Sequence, residues 1–425
     1  MNDDNHGGRK LRRGSARWRQ QQRKERQLQQ QREKGTRRTV ERQVNPADGF
    51  KLPEVNLPPE ILRPVGFISL AIVLVFGMIF LLRLFNPPED IALPNGVWLG
   101  TEWSYDLPDD EAVTGLVERM RANRMGTAYV QTTIMKADRT WGGKAADINP
   151  NTGATINTIN PLTEEPYRDE LAEMEPNILR FLEQYNTLYP EGRLFAWVIF
   201  PADVLPLDDR NLHTRLAELS TLLVTTYGFD GVYLDIVPVE SGDEDYLQML
   251  RTVRLALDDA GDGLNTDGRV PLALAIPPDY RPLDPDIPFN PNYSTAFAWD
   301  RDFKKNVAVL ADELHVQAYN SGLSRAEDYS VWVAYQALAY ASAVAELGVD
   351  TEVLLAVPTH PAELPFHDPS VENIQTAVEG VQSGLLQAGE SGVVLRGLNL
   401  FVEWTTDDTE WVAFQSRWVD VIPGE

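Results

Sequence analysis

The chain has 425 residues, of which 43% are hydrophobic and ten are tryptophan, a composition that favours a sizeable packed core over a disordered chain. It contains no cysteine, which excludes disulfide bonds and thiolate metal sites and leaves the redox compartment open. The net charge is −25, yet residues 1–64 hold 16 Lys+Arg against 8 Asp+Glu, so a basic tail precedes an acidic body. The acidic body argues against nucleic acid as its partner, because phosphate contacts need clustered Lys and Arg.

The tail, residues 1–64, is basic and glutamine-rich, and it has almost no apolar residues to bury. We expect it to be largely disordered and to contact anionic lipid in the cytoplasm. RNA or ribosome binding is the alternative, but the tail lacks the folded aromatic platform that such binding uses.

Residues 65–85 are predicted to form a transmembrane helix. Residues 65–82, VGFISLAIVLVFGMIFLL, are uncharged, and the apolar run resumes after Arg83, about the length that crosses roughly 30 Å of hydrocarbon. A core helix of a soluble domain would have a polar face, and this run has none. No signal-peptide cleavage site follows it. After Arg83 the next basic residue is Arg119, so the positive-inside rule places the N-terminus in the cytoplasm and the acidic body outside the cytoplasmic membrane. Residues 86–94 are a short linker.

From residue 95 to 425 short apolar strands alternate with amphipathic helices, which predicts a parallel sheet covered by helices. The eight predicted strands are residues 96–103, 126–133, 193–201, 229–237, 270–278, 313–320, 351–359 and 392–404. Eight such units fit a closed (β/α)8 TIM barrel. An open doubly wound sheet would show a glycine-rich nucleotide turn after the first strand, and GTEWSYDLPDD contains none.

The segments between the strands fit the same fold. Leu212, Leu216, Leu219 and Leu223 recur along one helical face, as do Val371, Ile374, Val378, Val381 and Leu385. The polar residues 137–166 and the proline-rich residues 277–293 are too long for simple connectors. We expect both to be loops over the carboxyl-terminal end of the barrel, where the active sites of such barrels lie.

The stretch FDGVYLDIVPVE, residues 229–240, carries the main chemical signal. Alternation along a strand puts Tyr233, Asp235 and Val237 on one face and only aliphatic side chains on the other, so the first set is predicted to face the barrel interior. A carboxylate in that position costs free energy unless it is hydrogen-bonded or functional. We therefore interpret Asp235 as a site residue rather than a structural one.

The stretch resembles the fourth strand of the family 18 glycoside hydrolases, the chitinase-like barrels, whose pattern is Asp-Gly-x-Asp-x-Asp-x-Glu. Aligned on Asp230 and Gly231, the inner carboxylate of that pattern falls on Asp235. The middle carboxylate falls on Tyr233 and the catalytic acid on Val237, so two key positions are altered.

Other strands resemble the same family, over most of residues 95–418. HVQAYN resembles the sixth strand and assigns the family's site tyrosine to Tyr319, with Gln317 and Asn320 beside it. LALAIPP and VLLAVPTH resemble the fifth and seventh strands. NLFVEW resembles the eighth, which ends in a tryptophan under the sugar, here Trp404.

The resemblance implies a mechanism that this chain cannot run unchanged. In that family the glutamic acid protonates the leaving oxygen, and the preceding Asp positions the acetamido group of the substrate as nucleophile. Valine cannot donate a proton, and loss of a general acid typically costs about a hundredfold to ten-thousandfold in rate. Glu240 is the nearest substitute for Val237; it is also interpretable as a solvated loop acid or a helix cap.

A second resemblance, to α-amylase-like barrels, rests on Asp-Gly-x-x-x-Asp, but an arginine is missing where Tyr233 stands and the fifth and seventh strands end without the required acids. Glu102, Asp203 and Glu403 end or follow other strands and are further candidate carboxylates. If Trp404 faces inward, alternation turns the adjacent Glu403 away. Five tryptophans lie at strand ends or in the predicted loops and divide between core packing and sugar stacking: Trp98, Trp103, Trp141, Trp299 and Trp404.

The sequence therefore predicts a membrane-anchored, extracytoplasmic glycoside hydrolase-like barrel that acts on a cell-envelope or extracellular polysaccharide. The alternative is a barrel that binds glycans without catalysis. The predicted catalytic residues are Asp235, Glu240 and Tyr319, and the predicted substrate-binding residues are Tyr233, Gln317, Asn320, Trp404, Glu102, Glu403 and Trp299. We expect no cofactor and no metal, and we expect His315 to be a hydrogen-bonded interior residue.

Overall fold

A computed structural model of the chain describes residues 95–106, 108–142, 171–264, 269–279, 298–361 and 366–421. Eight parallel strands lie within them: β1 Asn95–Leu99, β2 Met125–Met135, β3 Arg193–Pro201, β4 Gly231–Val237, β5 Leu272–Ile276, β6 Glu313–Gln317, β7 Glu352–Pro358 and β8 Leu395–Phe401. Each strand pairs with the next, and β1 pairs with both β2 and β8, so the sheet closes on itself. The prediction of a (β/α)8 barrel is confirmed. A two-residue strand, Trp141–Gly142, adds antiparallel to the end of β2.

Helices surround the barrel: α1 Asp110–Ala122, α2 Leu171–Leu188, α3 Arg210–Leu222, α4 Glu244–Leu264, α5 Arg301–Ala308, α6 Ala326–Ala345, α7 Ile374–Ala388 and α8 Asp408–Phe414. The predicted leucine face of α3 is buried. In α7 the helix begins only at Ile374, because Asn373 forms a capping box with Thr376, so Val371 packs from the preceding loop.

Two packing layers separate the strand faces. Val232, Leu234 and Ile236 of β4 pack outward in the layer between barrel and helices, whereas Tyr233 packs in the barrel interior with Trp98. The alternation predicted for this strand is confirmed. These rings contact each other because the interior of a closed eight-stranded barrel is just wide enough to be filled by side chains.

The amino-terminal end of the interior is closed by a polar cluster. The carboxylate of Glu313 accepts hydrogen bonds from Tyr129 at 2.8 Å, from Arg193 at 2.9 Å and from the Nε2 of His315 at 3.1 Å. Asn399 donates to the Nδ1 of His315 at 2.7 Å, so one ring nitrogen donates and the other accepts. His315 is an interior, hydrogen-bonded residue as predicted.

Two predicted strands end earlier than expected. Residues Thr101–Trp103 and Glu403–Thr405 form 3-10 turns rather than the last residues of β1 and β8. The alternation rule therefore does not apply to the pair Glu403 and Trp404.

Several predictions concern residues outside the described ranges: the basic tail, the linker, the transmembrane helix of residues 65–85, and most of the two long loops. Within the described ranges, we find no helix that combines the length and the apolar character needed to cross a membrane.

Candidate functional site

The carboxyl ends of the strands surround an opening, which we call the mouth. Its interior-facing side chains include Trp197 and Ile199 of β3, Asp235 and Val237 of β4, and Phe401 of β8. Register places Trp197 beside Tyr233 and Ile199 beside Asp235, because residues 195–201 of β3 pair in parallel with the whole of β4. The strand pairing therefore fixes a tryptophan, a tyrosine and the aspartate in one corner of the mouth.

Asp235 is the buried acid of this corner. The residue is partly buried, and its Oδ1 atom is shielded from solvent and has no hydrogen-bond partner. Burial raises the pKa of Asp235 to about 6, and the nearby indole N–H of Trp197 opposes that rise. The two groups do not reach a hydrogen bond of normal geometry, and Trp197 Nε1 is likewise unpartnered. The carboxyl group can accept a hydrogen bond from a ligand when it is ionised, and it can donate a proton when it is neutral.

Tyr233 forms the floor below Asp235. Its ring lies 4.9 Å from His315, 5.1 Å from Tyr129 and 5.5 Å from Trp98, measured between ring centroids. Burial, followed by the charge of Asp235, raises the pKa of its phenol well above the ordinary value, so Tyr233 is neutral. At 2% exposure it supports the acid from beneath and presents little surface to a ligand.

Tyr319 packs against the interior aromatic cluster, and its partner there is Phe401. The two rings are stacked, with centroids 4.6 Å and planes 10° apart. Phe401 also contacts Trp98 at 5.5 Å and Trp197 at 6.3 Å. Trp404, the predicted sugar platform, is 48% exposed on the 3-10 turn that follows β8. The ring at the end of β8 that joins the mouth is therefore Phe401, a residue that the sequence reading passed over.

Phe401 and Trp197 were both within reach of the alternation rule. Asn399 faces inward to His315, so Phe401, two residues later on the same strand, faces inward as well. Trp197 follows from Phe195 in the same way. The sequence-based prediction extended β8 by three residues, to Trp404. On a continuous strand an inward Trp404 would turn Phe401 outward, so the prediction missed Phe401.

The resemblance of β4 to the family 18 pattern assigns the acid position to Val237. Val237 lies two residues beyond Asp235 on the same face and is partly buried. Glu240 is exposed in the turn before α4, where its carbonyl accepts the N–H of Asp243 at 3.3 Å. The cap of α4 is Asp243, whose carboxylate accepts from the N–H of Tyr246. Glu240 thus occupies a solvated loop position.

Three further predicted residues have other partners. Glu403 forms an ion pair with Arg119 of α1 at 2.6 Å. Glu102 lies on the first 3-10 turn; the residue as a whole is exposed, but its carboxyl group is partly desolvated, and this desolvation, followed by the charge of Glu403, raises its pKa. Trp299 is 1% exposed, and its indole N–H donates to the carbonyl of Val239 at 3.0 Å. Its burial makes Trp299 a packing residue, which corrects the prediction of a sugar contact.

Gln317 and Asn320 flank Tyr319. Gln317 ends β6, faces the interior by alternation with His315, and is partly buried. Asn320 has a φ of +54°, and its backbone N–H donates to Glu372 at 2.8 Å. In the described part of the chain, no three His, Asp or Glu side chains are grouped so as to hold a metal ion.

No protein-family profile and no curated protein matches the chain. Solved structures do resemble it. A family 18 chitinase of Cycas revoluta in complex with (GlcNAc)4 has a TM-score of 0.46 and 13% identity over 76% of this chain and 99% of its own. A spore cortex-lytic enzyme of Bacillus cereus has a TM-score of 0.43 and 9% identity, covering 76% and 74%. A family 18 N-acetylglucosaminidase of Paenibacillus barengoltzii has a TM-score of 0.44 and 12% identity, covering 76% and 98%. At these TM-scores and identities the likeness supports no conclusion about the site.

Proposed function

We propose that this chain is a glycoside hydrolase-like barrel that binds a cell-envelope or extracellular polysaccharide in its mouth without hydrolysing it. The observation that carries the proposal is the unpartnered Oδ1 of Asp235 among aromatic rings. A buried acceptor without a donor costs about 1–3 kcal/mol, and a ligand N–H or O–H would recover it.

Sugars offer both kinds of contact that this corner provides. Their hydroxyl and acetamido groups donate hydrogen bonds to a carboxylate, while their C–H faces pack on aromatic rings such as the Tyr319 and Phe401 pair. The resemblance of β4 to the family 18 pattern favours an N-acetylated sugar, because the aspartate of that pattern contacts the acetamido group. Asp235 then acts as a recognition residue.

Hydrolysis by two protein carboxylates needs a second acid roughly 5–10 Å from the first. Glu240 is exposed and Glu403 is paired with Arg119, so neither supports the role of partner acid. Val237 occupies the acid position of the pattern and holds no proton to donate.

A second candidate function is glycoside hydrolysis with Asp235 as the acid. It is favoured by one observation, the pKa of about 6, which leaves a protonated fraction near neutral pH. This enzyme would use the acetamido group of its substrate as nucleophile and Tyr319 to orient the sugar.

The location of the barrel is a proposal from the sequence. Residues 65–85 would anchor the chain in the cytoplasmic membrane, with the basic tail inside against anionic lipid and the barrel outside. Protease added to intact cells is expected to digest the barrel and spare the tail. Digestion of the tail alone would reverse the topology.

The proposed function is tested with the full chain purified in detergent. Oligomers of N-acetylglucosamine are titrated by calorimetry against wild type, Asp235→Asn and Asp259→Asn, an exposed acid on α4 that serves as the matched control. We expect binding by wild type and the control, loss in Asp235→Asn, and no new reducing ends after long incubation. Release of reducing ends that depends on Asp235 would establish the hydrolase instead, and absence of binding by wild type would reject both functions for this glycan.

A further inference from the structure

Behind Tyr319, the carboxylate of Glu372 collects four hydrogen bonds. It accepts from the backbone N–H of Asn320 at 2.8 Å, the N–H of Ser321 at 2.7 Å and the hydroxyl of Ser321 at 2.5 Å. The fourth donor is the Nδ1 of His367 at 3.0 Å. Glu372 is 1% exposed, so these bonds replace its hydration entirely.

His367 faces an oxygen acceptor with each ring nitrogen. Its Nδ1 meets Glu372, and its Nε2 lies 2.9 Å from the carbonyl oxygen of His360. A carboxylate and a carbonyl oxygen only accept, so with Glu372 ionised both ring nitrogens carry protons and His367 is an imidazolium. His315 differs, because the amide of Asn399 donates to one of its nitrogens. Two buried His–Glu pairs in one barrel therefore hold opposite charge states on their histidines.

The bonds to Glu372 hold the backbone on one side of Tyr319. Asn320 has the left-handed φ of +54°, a conformation that non-glycine residues seldom adopt, and Glu372 binds the N–H of Asn320 and the next N–H. On the other side, the hydroxyl of Tyr329 donates to the carbonyl of Ala318 at 2.6 Å. The direction of the chain through Tyr319 is set by these two anchors.

We propose that the His367–Glu372 ion pair is a positioning unit that holds the Tyr319 wall of the mouth and thereby sets glycan affinity. The affinity part rests on the proposed function. The pair bridges two loops, because His360 and His367 follow β7 while Asn320 and Ser321 follow β6. Both side chains are buried, so the pair acts through the backbone beside Tyr319.

The charge state of His367 follows from its surroundings. Burial opposes the imidazolium, but its hydrogen bonds to Glu372 and to the carbonyl of His360, with the charges of Glu372 and Asp368, raise its pKa. The ring of His360 stands edge-on at 6.0 Å, and the phenol of Tyr329 near Glu372 is neutral because burial raises its pKa. When pH rises through the pKa of His367, one of its two acceptors loses its donor and the bridge between the loops weakens.

The chain has five histidines, so ring-¹⁵N labelling of histidine gives a countable NMR spectrum of the full chain, and His367→Gln assigns one signal. We expect the His367 ring to show two protonated nitrogens and a titration midpoint above the ordinary value of about 6.5. A neutral ring at pH 6 would overturn the imidazolium and with it the positioning unit.

Glu372→Gln tests the holding of the wall, with Glu379→Gln on the exposed face of α7 as the matched control. Hydrogen exchange of the peptide over residues 318–323 is expected to be slow in wild type and the control and fast in Glu372→Gln. Affinity for N-acetylglucosamine oligomers is expected to fall roughly tenfold. Unchanged exchange in the folded variant would overturn the proposal. Fast exchange together with a wild type that binds no glycan would leave the positioning unit in place and reject the proposed function.

If Glu372→Gln does not fold, the same exchange measured on wild type across the pH titration of His367 decides: faster exchange above the midpoint supports the proposal, and pH-independent protection refutes it.

Discussion

The rings of Tyr319 and Phe401 stack with centroids 4.6 Å apart, joining the loop after β6 to the end of β8 across the mouth. This contact supplies an aromatic surface beside the corner that holds Asp235. The sequence pattern predicts this role for Trp404, which is 48% exposed on the turn that follows β8.

Replacing Phe401 by leucine is expected to weaken glycan binding about two- to tenfold, because leucine keeps most of the packing volume but loses the flat ring face. Calorimetry with N-acetylglucosamine oligomers measures the change. Trp404→Leu is the comparison and is expected to change affinity less. The opposite ranking would restore Trp404 as the sugar platform.

Replacing Asp235 by asparagine is expected to stabilise the fold while abolishing binding. The pKa of Asp235 is about 6 in the folded chain against about 3.9 in an unfolded one, so the ionised acid destabilises the fold above pH 6 and this cost disappears as pH falls below about 4. We expect roughly 1–2 kcal/mol of added unfolding free energy at pH 8, and none at pH 4. Urea denaturation at the two pH values checks this. A destabilised variant at pH 8 would show that the acid has a structural partner.

Binding itself should depend on the ionisation of Asp235. A neutral carboxylic acid accepts hydrogen bonds less strongly than a carboxylate, so affinity is expected to fall as pH decreases through about 6. Calorimetric titrations at a series of pH values from 5 to 8 measure this fall in affinity. Affinity that rises toward low pH would instead indicate that the protonated acid donates to the ligand.

Replacing Val237 by glutamate is expected to create hydrolysis of N-acetylated oligomers, since it returns a proton donor to the acid position two residues from Asp235. The gain over background is expected to be on the order of a hundredfold or more, the usual contribution of a general acid. Release of reducing ends is the assay, and Val237→Gln, of the same shape without the acid, is the control. A folded Val237→Glu that binds but does not hydrolyse would count against the family 18 alignment of β4.

At the other end of the barrel, Glu313→Gln is expected to destabilise the fold by about 3 kcal/mol at pH 7, because it removes the buried partner of Arg193. Burial opposes its charge, but the hydrogen bond from His315 and the charge of Arg193 lower the pKa of Glu313 to about 2. Its stabilisation is thus present above about pH 4 and lost as pH falls toward 2. Denaturation at pH 7 and pH 3 should show a smaller difference at pH 3. Glu352→Gln, a half-exposed neighbour paired with Arg396, is expected to cost under about 1 kcal/mol.

Local sequence pattern determined most of what lies along a single strand or helix. Period-two alternation placed Tyr233 and Asp235 inside, and the leucine repeat placed the buried face of α3, because these periods follow directly from backbone geometry. The interior position of His315 was predictable for the same reason. Alternation did not apply to Glu403 and Trp404, because β8 gives way to a 3-10 turn before them, and the end of a strand depends on which neighbour continues to pair with it.

The sequence by itself determined the eight-unit barrel and the inward acid on its fourth strand, because both are written in local periodicity. Which side chains meet at the mouth was decided by the closed tertiary structure. Strand register set Trp197 beside Tyr233, and the Oδ1 atom of Asp235 has no hydrogen-bond partner of normal geometry. Long-range contacts pair Glu403 with Arg119 in an ion pair and join the backbone N–H of Asn320 to Glu372 in a hydrogen bond. Those pairings join residues tens to hundreds of positions apart, and only the folded chain brings them within reach of a hydrogen bond.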